Sequence, residues 1–252
     1  MTWSHPVEAR YPIRDRGRIQ LFSMNTPNGI KVSAALEELG LPYEPHLVNI
    51  REGAQHHPAY RTLSPNGKIP ALIDPTGAGP TAAPTPGRGP TPPLDAPPQP
   101  VAMCDSGAIL LHLAEKTGRL LPTDPLGRSD VLQWLFLQVS QIGPMFGQLG
   151  HFHRYARRRT ADTYALDRYL NETKRLLAVL EERLQDRTFV AAGELSIADL
   201  AIFPWLRALL GYYDAGDLVG IDAYPSVLAY LERMLARPAI AASLQVCRPE
   251  RR

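Results

Sequence analysis

Two short stretches hold the residue types that could do chemistry. The first is Thr26-Pro27-Asn28-Gly29, which follows an apolar run from Ile19 to Ser23. Threonine before proline is a helix-start signal: the hydroxyl can cap free backbone N–H groups, and Pro27 suits the first helical position, where its missing N–H costs nothing. The open N-terminus of such a helix attracts anions, so a thiolate or carboxylate held there is stabilised by the aligned N–H groups. The second stretch is Asp105-Ser106, directly after Val101 to Cys104. Ser106 is expected to cap a helix and offer donors to a carboxylate, while Asp105 offers a carboxylate to an ammonium group. That pairing would hold an α-amino-acid head. Taken singly, each stretch is also an ordinary helix cap.

The elements that must position these residues follow from hydrophobic periodicity. Ile19 to Ser23 reads as a strand and Asn28 to Leu39 as a helix, with Val32, Ala35, Leu36 and Leu39 on one face and Gly40 as the stop. Tyr43 to Asn49 reads as a second strand, which makes a parallel βαβ unit. The segment from Arg51 to Thr62 has only a weak helical pattern. An Asn66-Gly67 turn then leads into a strand from Ile69, with Pro70 at its start. A proline there belongs on a sheet edge or, in the cis form, reshapes the backbone beside a binding site.

Residues 75 to 100 carry ten of the chain's 25 prolines and read as a flexible or polyproline-like extension of a hairpin tip, with its partner strand at Val101 to Met103. The helix after Ser106 should run to about Lys116. From Asp124-Pro125 onward the strand signals stop. One helix runs toward Gly143-Pro144 and another covers Leu166 to Leu184. A capping box at Ser196 to Asp199 precedes a buried helix, Leu200 to Leu210, which Pro204 should bend. Tyr224-Pro225 starts a helix that stops before Pro238. The expected organisation is an N-terminal arm (1–18), an α/β domain (19–120) and an all-helical domain (124–246).

Composition narrows the classes. The 252 residues are 44% hydrophobic, ample for a packed core, and a formal charge of +2 lacks the basic excess of a nucleic-acid binder. Arg157-Arg158-Arg159 reads as a solvated turn. Cys104 and Cys247 form no C-x-x-C pair, so neither a metal site nor an internal dithiol is indicated, and a reducing compartment fits. No signal peptide or bilayer-spanning run is seen, which makes cytoplasmic the default and a membrane partner unexpected.

Together, Thr26 to Lys31 (TPNGIK), Asn66 to Leu72 (NGKIPAL), Asp105 to Gly118 (DSGAILLHLAEKTG) and the Ser196 to Asp199 box resemble the cytosolic glutathione transferases. The T-P-N-G start, Leu132 to Phe136 and the segment from Gly143 to Phe152 are similar to the bacterial Nu class, which acts chiefly in glutathione-dependent disulfide-bond oxidoreduction. The resemblance spans roughly residues 19 to 245, apart from the proline-rich insertion. It implies a thioredoxin-like N-terminal domain with Pro70 as its cis-proline, followed by a helical bundle, and a homodimer.

The same resemblance assigns residues to glutathione, the expected co-substrate. Ile69 would pair through its backbone with the cysteinyl part, Asp105 and Ser106 would take the γ-glutamyl end, and Gln55 and Lys68 the glycyl carboxylate. Thr26 and Asn28 would sit beside the sulfur. Relatives often have Glu-Ser where this chain has Asp-Ser. Arg168 matches an arginine that reaches glutathione in the neighbouring subunit, though it is equally a helical arginine paired with Glu172. Gln148, His151 and His153 are placed near the mouth of the second-substrate site, with no general-base role assigned. Cys104 reads as a small apolar residue, with a resolving thiol as the other reading.

Lowering a thiol by two pKa units needs roughly 2.7 kcal/mol. One charge-assisted hydrogen bond, about 1.5 to 3 kcal/mol, plus a helix-terminus contribution of about 0.3 to 1, covers that. No protein cysteine is required, because glutathione brings the redox sulfur. The expected activity is reduction of small or glutathionyl disulfides. Conjugation of electrophiles and non-catalytic, regulatory glutathione binding are the alternatives.

Overall fold

The computed structural model describes residues 3–77, 99–157, 159 and 161–250. Most of the proline-rich stretch (78–98), together with Arg158, lies outside the described residues. Four strands form one mixed sheet in the order β2-β1-β3-β4. They are β1 (Ile19–Ser23), β2 (Tyr43–Leu47), β3 (Ala71–Asp74) and β4 (Val101–Cys104). β1 and β2 are parallel, joined through α1 (Pro27–Leu39), as the βαβ reading requires. β3 is antiparallel to β1 and to β4, with Asp74 opposite Val101, so the proline-rich stretch joins two paired strands.

Strand ends differ from the sequence reading where side-chain chemistry intervenes. β2 stops at Leu47, because Asn49 turns away to accept from the Arg51 N–H and caps a 3₁₀ turn, Ile50–Glu52. β3 begins at Ala71, after a cis Ile69–Pro70 peptide whose proline has no N–H to donate. The weakly helical segment becomes two 3₁₀ turns and a single helical turn, α2 (Pro58–Arg61). α3 spans Ser106–Thr117 and ends at Gly118, which holds a left-handed φ of 64°.

The remainder is helical. α4 (Pro125–Leu137), α5 (Gly143–Gly150) and α7 (Ile197–Arg207) each run into or out of a π-helical turn: Gln138–Ile142, His151–Tyr155 and Ala208–Tyr212. α6 spans Tyr164–Leu184, α8 Gly216–Val219, α9 Pro225–Leu235 and α10 Pro238–Ser243. Pro204 lies inside α7 and withholds one helical hydrogen bond. Pro238 both ends the preceding region and opens α10, the second role being the one that the sequence reading left out.

The sheet is covered on both faces. On one, Leu21 and Leu72 join α1, α3 and the helices from α4 to α10 in a continuous apolar core. On the other, Phe22, Ala71 and Ile73 pack against Val7 and Tyr11 of the N-terminal arm and Tyr60 of α2. The arm is braced internally by an ion pair from Arg16 to Glu8 and by the Arg16 guanidinium over the Trp3 ring, and it is tied to β2 where the Glu44 carboxylate accepts the Arg14 and Asp15 N–H groups at 3.1 and 3.0 Å. No helix among the described residues is long and apolar enough to cross a membrane.

Candidate functional site

Strand register brings the chemistry-bearing stretches to one end of the sheet. Phe22 pairs with Ala71, and Ala71 with Cys104. The segments just beyond these residues, Met24 to Asn28, Ile69-Pro70 and Asp105-Ser106, therefore lie at a common edge. Close approach of α1 to the end of β1 requires Gly29, where a Cβ would fall 2.0 Å from the Met24 carbonyl oxygen. The loop before α1 is tied to the C-terminal segment: Asn25 N–H donates to the Cys247 carbonyl at 3.0 Å, and the Asn25 amide donates to the Leu244 carbonyl.

Thr26 caps α1 as its sequence predicts, accepting the Gly29 N–H at 3.3 Å. Pro27 has no N–H, and the Asn28 N–H has no acceptor among the described residues. Thr26 and Asn28 are half-buried, with the helix start accessible from solvent. Asn28 Oδ1 accepts from the Trp205 indole N–H at 3.1 Å.

At the second helix start the cap is Asp105, and the expectation for Ser106 is corrected. Asp105 Oδ1 accepts the N–H groups of Gly107 (2.9 Å) and Ala108 (3.2 Å), because its shorter side chain folds back over the first turn. Ser106 is the first helical residue instead. Asp105 adopts φ 80°, ψ 122°, a conformation that costs an L residue about 1 to 3 kcal/mol and recurs at ligand clamps. One of its carboxylate oxygens remains outside the cap.

Behind Ser106 lies Lys31, only 2% exposed. Its ammonium donates to Ser106 Oγ at 3.2 Å and to Gln138 Oε1 at 2.6 Å. Burial pushes the Lys31 ammonium down to about 7, with the Asp105 carboxylate pulling the other way. Because Lys31 occupies an acceptor position on the Ser106 oxygen, the serine hydroxyl can donate outward. Gln138 comes from the π-helical turn after α4, so this contact also joins the two halves of the chain.

The remaining expected residues fall around this edge with less definition. Ile69 is half-buried and Pro70 buried, in the cis form that the sequence resemblance implies. Tyr60 and Ser64 hydroxyls hold the Lys68 carbonyl at 2.7 and 2.8 Å, leaving the Lys68 ammonium exposed. Gln55 adjoins the same turn, its carbonyl 3.4 Å from where a Gly67 Cβ would be, and its side-chain Oε1 is buried without a partner among the described residues.

Arg168 is exposed on α6 and makes no hydrogen bond or ion pair among the described residues. Glu172 takes its hydrogen bonds from Arg175 at 2.7 and 3.0 Å, and Arg168 acts on that carboxylate only as a nearby charge. Of the histidines near the expected mouth, His153 meets the Asp214 carbonyl at 3.3 Å and His151 packs edge-on to Phe152. Cys104 packs with the apolar cluster under the arm. Burial pushes the Cys247 thiol up to about 12, and it donates to the His46 carbonyl.

Sequence reasoning passed over Lys31, Gln138 and Trp205. A lysine flanked by Ile30 and Val32 in the first turns of α1 was the available signal for Lys31. Gln138 and Trp205 carry no local signal, since each reaches the site across the molecule.

Two family models match the chain: a glutathione S-transferase N-terminal domain at residues 21–119 and a C-terminal domain at residues 163–233. Disulfide-bond oxidoreductase YfcG of Escherichia coli (strain K12) is 38% identical over 226 residues, covering 90% of this chain and 94% of that protein. A glutathione transferase from Pseudomonas putida, solved with one glutathione disulfide bound per subunit, matches with a TM-score of 0.86 and 46% identity over 95% of this chain and 96% of that one. A family member from Pseudomonas fluorescens pf-5, solved with two glutathione bound, matches with a TM-score of 0.87 and 44% identity over 97% and 100%. The chain belongs to the glutathione S-transferase family.

Proposed function

We propose that this protein is a glutathione-dependent disulfide-bond reductase of the Nu type, working as a cytoplasmic homodimer, with a glutathione-binding domain at 19–120 and a helical domain at 124–246. The observation that carries this reading is the open start of α1. It presents the Thr26 hydroxyl, the Asn28 carboxamide and a free N–H, and it has no cysteine. A glutathione thiolate seated there would accept from these groups, while Asp105 and Ser106 receive the γ-glutamyl head and the Lys68 turn with Gln55 the glycyl carboxylate. Ile69 would pair through its backbone with the cysteinyl unit.

In the reaction the bound thiolate attacks one sulfur of a disulfide and expels the other as thiolate. A second glutathione thiolate then attacks the mixed disulfide, so two glutathiones become glutathione disulfide and the substrate gains two electrons and two protons. Arg168, exposed and without a hydrogen bond or close ion pair among the described residues, suits a role across the dimer interface. Activity of the 38%-identical relative, named a disulfide-bond oxidoreductase, supports the same chemistry.

The test is coupled reduction of 2-hydroxyethyl disulfide with glutathione, run beside conjugation of an aryl halide. Wild type should favour the disulfide, and Thr26→Ala and Asn28→Ala should each lose about 10- to 100-fold in kcat/KM, the worth of one charge-assisted hydrogen bond. An inactive wild type, full activity in both variants, or dominant conjugation would each overturn the proposal.

A further inference from the structure

The Asn28 carboxamide has two ends, and only one of them can serve a thiolate. Its oxygen accepts and its NH2 group donates, whereas a thiolate can only accept. Which end faces the open start of α1 therefore matters, and Asn28 does not decide this by itself. The indole of Trp205 is a donor with no acceptor, and its Nε1 lies 3.1 Å from Asn28 Oδ1. That bond commits the oxygen to the indole and leaves the NH2 end as the free donor.

The indole is itself held firmly. Trp205 is 9% exposed on α7, a helix whose residues from Ile197 to Leu206 are all buried. Its ring rests on two glycines. A Cβ at Gly143 would come 3.2 Å from Trp205 Cε2, and one at Gly147 would come 3.2 Å from both Cη2 and Cζ3. Neither glycine holds a positive φ, so both are there for space rather than for backbone freedom. Asn28 belongs to the glutathione-domain side and Trp205 to the helical side, 177 residues away in the chain.

We propose that Trp205 is a positioning residue, fixing Asn28 so that its NH2 group donates to the glutathione sulfur. The proposal rests on the functional reading above and assigns part of the sulfur site to the helical half of the protein. Trp205 touches no reacting atom; it acts through Asn28.

The test uses the full-length protein with glutathione as the probe. Thiolate formation is followed by absorbance near 240 nm as a function of pH, together with kcat and KM for 2-hydroxyethyl disulfide reduction. Trp205→Phe keeps a packed ring and removes the donor. It should raise the bound thiol's pKa by about half a unit and lower kcat/KM about fivefold, as expected for one neutral hydrogen bond. In an Asn28→Ala background the same substitution should add nothing, since a residue that acts through another loses its effect with it. Gly147→Ala, whose Cβ would come 3.2 Å from the ring and oblige the indole to give by a few tenths of an ångström, should shift the pKa in the same direction by a smaller amount.

Multiplicative losses in the double variant, or an unchanged thiol pKa in both Trp205→Phe and Gly147→Ala, would overturn the role of Trp205 while leaving the reductase reading intact. A wild type that binds no glutathione would overturn both.

Discussion

At the start of α7 the Asp199 carboxylate accepts four hydrogen bonds: from the Val190 N–H (2.9 Å), the Ser196 N–H (3.0 Å), the Ser196 hydroxyl (2.8 Å) and the Tyr230 hydroxyl (3.3 Å). Both Ser196 and Asp199 are fully buried. At the start of α1, Thr26 caps Gly29 alone, the Asn28 N–H is left over, and the side chains remain half-exposed. The two sequences, Ser-Ile-Ala-Asp and Thr-Pro-Asn-Gly, advertise the same local event. A helix start buried and closed off within the protein, as at α7 where the Ile197 N–H also goes to the Leu120 carbonyl at 2.9 Å, is structural, and one left incomplete in reach of solvent is able to bind an anion.

The sharpest way to break this contrast is to exchange the consequences. Asp199→Ala strands buried donors of Val190 and Ser196 and should cost about 3 kcal/mol or more in urea unfolding, while whatever folds keeps its turnover per molecule. Equal stability losses at Asp199 and Thr26 would erase the distinction.

α3 is held along its later turns as well as by its cap. His112 and Lys116 of α3 reach Asp74 Oδ2 at 2.8 and 2.9 Å, fastening the helix to the end of β3. Burial alone would raise the Asp74 carboxyl, but hydrogen bonds from His112, Lys116 and Thr76 outweigh it and bring the pKa down to about 2, below the ordinary 3.8. A carboxyl with a depressed native pKa contributes stability above its unfolded value and loses it as pH falls through the folded one. Asp74 should therefore contribute about 2 kcal/mol above pH 4, lost between roughly pH 4 and pH 2. Asp74→Asn should flatten that acid limb in denaturation curves recorded at successive pH values.

The smallest expected effect is the stability cost of Thr26→Ala, about 1 kcal/mol or less for a single half-buried cap. Set beside the 10- to 100-fold activity loss expected from the same substitution, it separates the binding role from the folding role. A calorimetric loss well above that value would place Thr26 with Asp199 as a structural residue.

Much of the fold was legible because its signals are local. β1 and the Ser196–Asp199 box stand where periodicity and cap chemistry put them, and Asp124-Pro125 opens α4 as expected. The expectation that Ser106 caps α3 failed for a reason equally local but finer than pattern: Asp105 adopts a left-handed backbone that lets its own carboxylate reach Gly107 and Ala108. Residue types cannot show such a conformation, because aspartate and serine both cap well. α10 was missed because the proline that stops one helix can also start the next.

By itself the sequence determined the order of the four strands and of α1, α3, α4, α6, α7 and α9, the capped starts at Thr26 and at Asp105-Ser106, and the absence of cysteine from the first turn of α1. These depend on neighbours within a few residues. Only the tertiary structure decided that the Phe22, Ala71 and Cys104 register gathers those starts at one sheet edge, that Lys31 is buried behind Ser106 against Gln138, and that Trp205 takes the oxygen of Asn28. Each of these joins residues 30 or more positions apart. Which distant side chain fills a given hydrogen-bonding position is set by how whole elements pack, and hydrophobic periodicity specifies the face that is buried without specifying its partner.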